Sequence, residues 1–414
     1  MAHENFDLPD DALVQILLLL PTSSRRRCRL VCKRWRDLID ERTPERQSRT
    51  KILTFFAERG ESRALVFDDE GGGRRHAWTY PCSTATATID IVGTCNGLLC
   101  LHETLPPSEI DDGSSSVISV TNPITGETQV LPPAPAPAQR ESGQFGGFGK
   151  YSFGYHPYSP TQRESGKFGK YSFGYHPITG EYKVVHIPFH RDQEVDAVWV
   201  FTLGRDTTSW REVPVTAPRG SYSKSKYCGE VVSVDGVMYW LNAASNRIME
   251  LDLGDERATW LDVPPSVWAG GLTPEEGGGG WRLTSVHARL GIAATTTSWG
   301  GVLVWVLDGR PRWAQGRTLP KPHGHHGSSS WITAAPHFTY GEYAMSSSGC
   351  GSRTRLYRHK VGSLIGRDGE DGWLLRLPAD GVAELVTDKD DGTPYYSEMK
   401  TFAYVETLEP LPGY

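Results

Sequence analysis

Two hydrophobic patterns divide the chain. In the first forty residues the apolar positions recur at helical spacing. The stretch ALVQILLLL, residues 12–20, places Leu13, Ile16, Leu17 and Leu20 on one stripe, and Val14, Leu18 and Leu19 widen it well past a single face. Asp10 or Asp11 can cap the start of this helix and suits the positive end of its dipole, and Pro21 marks its stop. A second helical stretch runs from about Ser24 to Asp40. Leu30, Val31, Trp35, Leu38 and Ile39 form its apolar stripe, with Arg34, Arg36 and Asp37 towards the other side. A short helix that is apolar nearly all round is buried on more than one side. About fifty residues make too small a core to do that alone. The segment is therefore a compact helical hairpin with surplus apolar surface, the pattern of helix-mediated protein binding.

From Arg49 onward the pattern becomes short apolar runs separated by Gly, Pro, Asp and Ser. KILTFFAER and SRALVFDD read as the first strands. ATIDIVGTCNGLLCLHE and SSVISVTNPITGETQVLPP each give strand, turn, strand, and the series continues through VDGVMYWL to FAYVETLEPL. The chain thus divides into a small all-α segment, residues 1–48, and a large all-β domain, residues 49–414. Many short strands with recurring Gly and Trp signals predict a β-propeller of about six to eight irregular blades, with a pair of β-sandwiches as the alternative. As a fold class this is an α+β multidomain chain.

Charge changes this picture in one place. The net charge of −6 over 414 residues does not indicate general nucleic-acid binding. Between Arg25 and Lys51, however, eleven Lys and Arg face only Asp37, Asp40, Glu41 and Glu45. Phosphate contact would explain those cations but not the wide apolar helix before them, so no nucleic-acid partner is expected. The seven cysteines lack paired spacing and read as reduced thiols of an intracellular protein. The nine-residue run 12–20 falls short of the roughly 20 residues of a membrane helix, and the acidic, polar N-terminus carries no secretory signal. No membrane partner is expected, and the expected location is cytoplasm, nucleus or both.

LPDDALVQILLLLP followed by CRLVCKRWRDLI resembles an F-box over residues 6–40, with both ends and the spacing kept. The resemblance implies binding to the Skp-type adaptor of a cullin–RING ubiquitin ligase. Leu8, Pro9, Ile16, Leu17, Leu20, Pro21, Val31, Cys32, Lys33 and Trp35 match the positions that form the family's core and adaptor face, and sequence alone does not divide the two. Arg25, Arg26 and Cys28 depart from the pattern, because similar proteins carry two apolar residues and an aromatic there. Each lost apolar anchor would cost about 1.5–3 kcal/mol if its site were buried.

The β region resembles the F-box-associated domain of plant F-box proteins. GTCNGLLCL (93–101), NPITGE (122–127), FGYHPITGEYKVV (173–185), WREV (210–213), VDGVMYWL (234–241), ELDL (250–253) and FAYVETL (402–408) occur in the family's order. NPITGE reads in itself as a structural turn. KYSFGYHP occurs twice, at 150–157 and 170–177, each copy preceded by QRESG. An identity of that length indicates a local duplication, around 139–170. Only the second copy runs on into a strand, so residues 171–187 are expected to hold the native strand pair.

Motifs for chemistry are few. No GxSxG elbow, phosphate-binding GxxxxGK[ST] loop or HExxH is present. HGHHG (323–327), PEEGGGGW (274–281) and GRDGEDG (366–372) read as loops, and no cofactor or metal is expected. Trp78, Trp268, Trp281 and Trp331 sit near loop-like sequence and are candidates for exposed partner contacts, although core packing is the commoner role. The combined expectation is a non-catalytic substrate receptor. Its first fifty residues would bind the adaptor and through it a cullin, and its β domain a protein target. The alternatives are a β-propeller binding protein with a degenerate F-box, or a β-propeller enzyme.

Overall fold

The computed structural model describes residues 8–19, 28, 31–32, 34–35, 38, 51–67, 74–105, 116–135, 169–188, 197–204, 209–215, 231–242, 247–264, 273–274, 280–286, 289–295, 302–307, 313–315, 332–333, 338–340, 343–350, 353–360, 362–365, 374–376, 383–390 and 398–412. Helix α1 spans Asp10–Leu19. Its first hydrogen bond runs from Leu13 N to Pro9 O, at 3.1 Å, so both aspartates lie inside the first turn rather than before it. The second helical stretch is not continuous. Cys28, Arg34, Trp35 and Leu38 are helical, but Val31 forms a turn closed from Cys28 and Cys32 is irregular.

Beyond Lys51 the described elements are strands. The first sheet contains β1 (Lys51–Ala57), β2 (Glu61–Phe67) and β3 (Arg74–Pro81). The second is β4 (Thr88–Cys95), β5 (Leu98–Thr104), β6 (Ser116–Thr121) and β7 (Thr128–Val130). The third is β8 (Lys170–His176), β9 (Glu181–Ile187), β10 (Ala197–Thr202) and β11 (Arg211–Pro214). The fourth is β12 (Val232–Val234), β13 (Val237–Asn242), β14 (Arg247–Asp252) and β15 (Arg257–Asp262). Each is an antiparallel meander in chain order. The second KYSFGYHP copy is β8, paired with β9 as the sequence leads one to expect. The first copy lies outside the described residues.

The next strands are β16 (Thr273–Pro274), β17 (Gly280–Val286), β18 (Arg289–Thr295), β19 (Val302–Leu307), β20 (Trp313–Gln315), β21 (Ile332–Thr333), β22 (Phe338–Tyr340), β23 (Tyr343–Cys350) and β24 (Arg353–Lys360). β25 (Gly362–Ile365) and β26 (Leu374–Arg376) pair apart from them, and β27 (Ala383–Asp390) completes a sheet of ten strands. Among the described residues the arrangement is a propeller of five blade-bearing sheets, not six to eight. The count falls because β17 and β22 pair in parallel at Ser285 and Phe338, which joins two meanders into one sheet.

Where the chain reverses tightly, the turn residues are those the geometry requires. Asn96 and Gly97 between β4 and β5 both have positive φ, 51° and 85°, as do Asp235 and Gly236 between β12 and β13, 47° and 80°. Two successive left-handed residues make the hairpin turn whose twist matches the strands, and Asn-Gly and Asp-Gly supply it at least cost.

The core lies between consecutive sheets. Strand β9 shows how one sequence feeds two interfaces. Tyr182 and Val184 pack towards the second sheet with Cys100, Val120 and Phe173. Val185 and Ile187 pack towards the fourth with Met238, Trp240 and Leu251. Successive side chains alternate across a strand, so a sheet buried on both faces needs apolar residues at nearly every position. The inner strands β4, β8, β12 and β17 follow one another, and the ring returns through β22 to β28 (Glu398–Tyr404).

β28 pairs antiparallel with β1 from Lys51–Tyr404 to Ala57–Glu398 and completes the first sheet. The tail beyond it is clasped by the second. Asn122, fully buried, donates through Nδ2 to Thr407 O at 3.2 Å and Glu409 O at 2.9 Å. Its Oδ1 accepts from Ile124 N at 3.0 Å and Thr125 N at 3.4 Å. Glu127 accepts from Leu411 N at 2.8 Å, and the Leu411 side chain is buried between the second and third sheets. A Cβ on Gly97 would stand 2.6 Å from both Thr407 Cγ2 and Val405 O, so the tail lies against a position that only glycine can hold. NPITGE is thus a turn and also a latch.

Candidate functional site

The N-terminal segment sorts its apolar residues into two sets. Leu13, Val14 and Leu38 are buried together with Trp35 half-buried against them, and Leu17 is fully buried. Leu8 (43% exposed), Ile16 (43%) and Val31 (62%) face outward, as do Pro9 and Cys32. Leu20, Pro21, Lys33, Arg25 and Arg26 lie outside the described residues. The other large apolar side chains exposed among the described residues, Val117, Val130, Ile178, Trp260 and Leu408, are scattered over the β region. Among the described residues, the N-terminal segment alone brings three exposed large apolar side chains within two dozen residues of chain. Single exposed apolar side chains are normal; several on one short segment are the feature that a binding surface requires.

One side chain ties the segment's two halves. Arg34 Nε donates to Asp10 Oδ1 at 2.9 Å, and Nη2 lies 2.7 Å from the same oxygen. Nη2 also donates to the carbonyl of Leu8 at 2.7 Å.

Among the described residues, the polar groups buried in the propeller include two clusters. In the first, His102 of β5 stands opposite Asp90 of β4, which pairs with Lys400 of β28. The Tyr171 ring lies 4.9 Å from His102 and stacks on His186 at 4.5 Å. Burial pushes His102 down to about 4; Asp90 opposes that shift, while His186 and Lys400 reinforce it. In the second, the fully buried Lys183 donates to Leu253 O and to Glu256 Oε1 at 2.8 Å, and Arg211 joins the same carboxylate. Burial raises the Glu256 carboxyl, but hydrogen bonds from Arg211 and Lys183 outweigh it and hold the group below its ordinary value. Both clusters bridge sheets and arrange no nucleophile against a base. Among the described residues no three His, Cys, Asp or Glu side chains are grouped to hold a metal, and no disulfide is formed. No helix among them is long and apolar enough to cross a membrane.

Of the aromatic candidates, the two among the described residues, Trp78 and Trp281, are not exposed. Trp281 is 2% exposed in the core between the fourth and fifth sheets. Trp78 is half-buried, stacked on His76 at 5.5 Å and edge-on to Tyr404. Tryptophan buries more apolar area than a loop-like neighbourhood reveals. Trp268, Trp331, HGHHG and GRDGEDG lie outside the described residues. Sequence reasoning did not single out Arg34 or the latching role of Asn122. The available signals were a cation beside an apolar stripe and an asparagine before proline, neither of which names a partner.

Comparison with known proteins agrees with this geometry. Residues 55–342 match the F-box associated beta propeller domain and residues 6–46 the F-box domain. An F-box/LRR-repeat protein of Arabidopsis thaliana is 27% identical over 336 residues, covering 77% of this chain and 69% of the relative. An F-box protein of the same plant is 23% identical over 333 residues, covering 72% and 69%. The periplasmic gluconolactonase of Pseudomonas aeruginosa is 14% identical with a TM-score of 0.42, covering 85% of this chain and 99% of that one, a likeness too slight to bear on fold or activity. F-box domains generally bind Skp-type adaptors, and proteins that join an F-box to this domain are typically non-catalytic. The chain belongs to the F-box proteins that carry an F-box-associated β-propeller domain.

Proposed function

We propose that this protein is the substrate receptor of a Skp–cullin–F-box ubiquitin ligase. Leu8, Pro9, Ile16, Val31 and Cys32 meet the adaptor, with Leu20, Pro21 and Lys33 assigned beside them by their place in the motif. Leu17 and Trp35 hold the segment's interior. The propeller presents a protein target. The mechanism is proximity: holding adaptor and target on one chain raises the target's effective concentration near the ubiquitin-charged enzyme, and this chain supplies no catalytic group. The observation that carries the reading is the outward apolar set on a segment matching the F-box.

Binding of the purified chain to a Skp-type adaptor tests it, beside Ile16→Asp and Arg25→Leu/Arg26→Leu, with circular dichroism for each. Wild-type binding, lost in a folded Ile16→Asp variant, supports the reading. Binding only by the leucine variant assigns the degenerate F-box alternative. Absence of binding by every folded form sinks the adaptor role.

A further inference from the structure

We infer that Arg34 is a positioning residue of this surface, an inference that rests on the adaptor reading above. Leu8 and Pro9 precede α1, whose hydrogen-bond ladder begins at the Pro9 carbonyl, so nothing in the helix itself fixes the direction of Leu8. The Leu8 carbonyl instead accepts Nη2 of Arg34 at 2.7 Å. The same guanidinium holds Asp10, the first residue of the helix, through Nε at 2.9 Å. Arg34 follows Cys32 by two residues. Its side chain therefore holds the Leu8 carbonyl within one arginine's length of its own backbone, two residues beyond the exposed Val31–Cys32 pair. On this inference the two exposed stretches, far apart in sequence, act as one composite patch, with the part-exposed Arg34 linking them.

The chemistry requires arginine. One planar fork reaches a carboxylate and a carbonyl in fixed mutual geometry, whereas a lysine ammonium is a point donor that satisfies one and leaves the other to water. Arg34 and Asp10 are 39% and 47% exposed, so the ion pair itself adds little to stability. Its effect should appear in presentation of the patch, not in folding. A residue acting through another is recognised by coupling: its effect vanishes when the residue it acts through is removed.

The test is adaptor affinity of the full chain for wild type, Arg34→Lys, Leu8→Ala, the double variant and Asp10→Asn, with thermal midpoint and helical signal for each. Arg34→Lys is expected to weaken binding about tenfold at an unchanged thermal midpoint. In the Leu8→Ala background the same change is expected to shift affinity by less than about twofold. Asp10→Asn, which keeps the bond to Leu8, is expected to lose less than Arg34→Lys. Wild-type affinity in Arg34→Lys overturns the inference while leaving the adaptor reading in place. An undiminished loss on the Leu8→Ala background means that Arg34 touches the adaptor itself, and an equal loss in Asp10→Asn assigns the effect to the ion pair; both overturn the positioning role. Loss of helical signal in Arg34→Lys does the same, since the residue would then be holding the fold. A folded wild type that fails to bind overturns both readings together.

Discussion

At the scale of single residues, environment sets behaviour that type alone does not. His102 is an ordinary histidine by composition, yet burial beside Tyr171 lowers its pKa to about 4. The unfolded chain would protonate it near about 6.5. A depressed folded pKa contributes stability that is complete above the unfolded value and is lost as pH falls through the folded one. The window is therefore from about 6.5 down to about 4, and the full swing is roughly 3 kcal/mol. We predict that urea stability of the wild type falls more between about pH 7.5 and pH 5 than that of His102→Phe, which cannot titrate. Parallel losses in the two proteins would remove His102 from the account. The same contrast separates Leu17 from Ile16: neighbours in sequence, one fully buried and one 43% exposed.

At the scale of elements, the turn between β6 and β7 does more than reverse the chain. A turn needs Asn122 only for its Oδ1, which caps two backbone amides; the Nδ2 bonds to the tail use the remaining donors of the side chain. Asn122→Ala should leave two half-buried tail carbonyls without this partner and cost about 1–3 kcal/mol. Hydrogen exchange over residues 405–411 should rise well before global unfolding. Protection of the tail unchanged from wild type would show that Leu411 and Glu127 suffice as the latch. NPITGE and FAYVETL, separate signals in the sequence, are in this sense one structural unit.

Across the whole molecule, closure is a long-range event. β28 joins β1 across most of the chain, and loop-closure entropy makes such a contact late and costly to form. Removing residues 398–414 takes away one strand of the first sheet, the latch on the second and the Leu411 anchor near the third. We predict that the shortened chain loses the single cooperative unfolding transition of the full-length protein and exposes the core face of β1, read by denaturation and by binding of an apolar dye. A truncated chain that unfolds as sharply as the full one would refute ring closure by the tail. The N-terminal segment joins the ring at Lys51, which pairs with Glu406, so the F-box connects at the end where the tail lies.

Local rules determined much of this protein from sequence. Helical period marked α1, short apolar runs separated by Gly, Pro, Asp and Ser marked the strands, and the joined copy of KYSFGYHP was placed in a strand pair because only it continues into apolar sequence. These signals depend on neighbours a few residues away, and chain order carries them. The tertiary structure decided what depends on distant partners. It set which apolar side chains of the N-terminal segment turn inward, the merging of two meanders through a parallel pair at Ser285 and Phe338, the burial of Trp281, and the pairing of Asn122 with the tail. Hydrophobicity says that a residue prefers to be covered; only the packed fold says by what, and which residues are left uncovered for a partner.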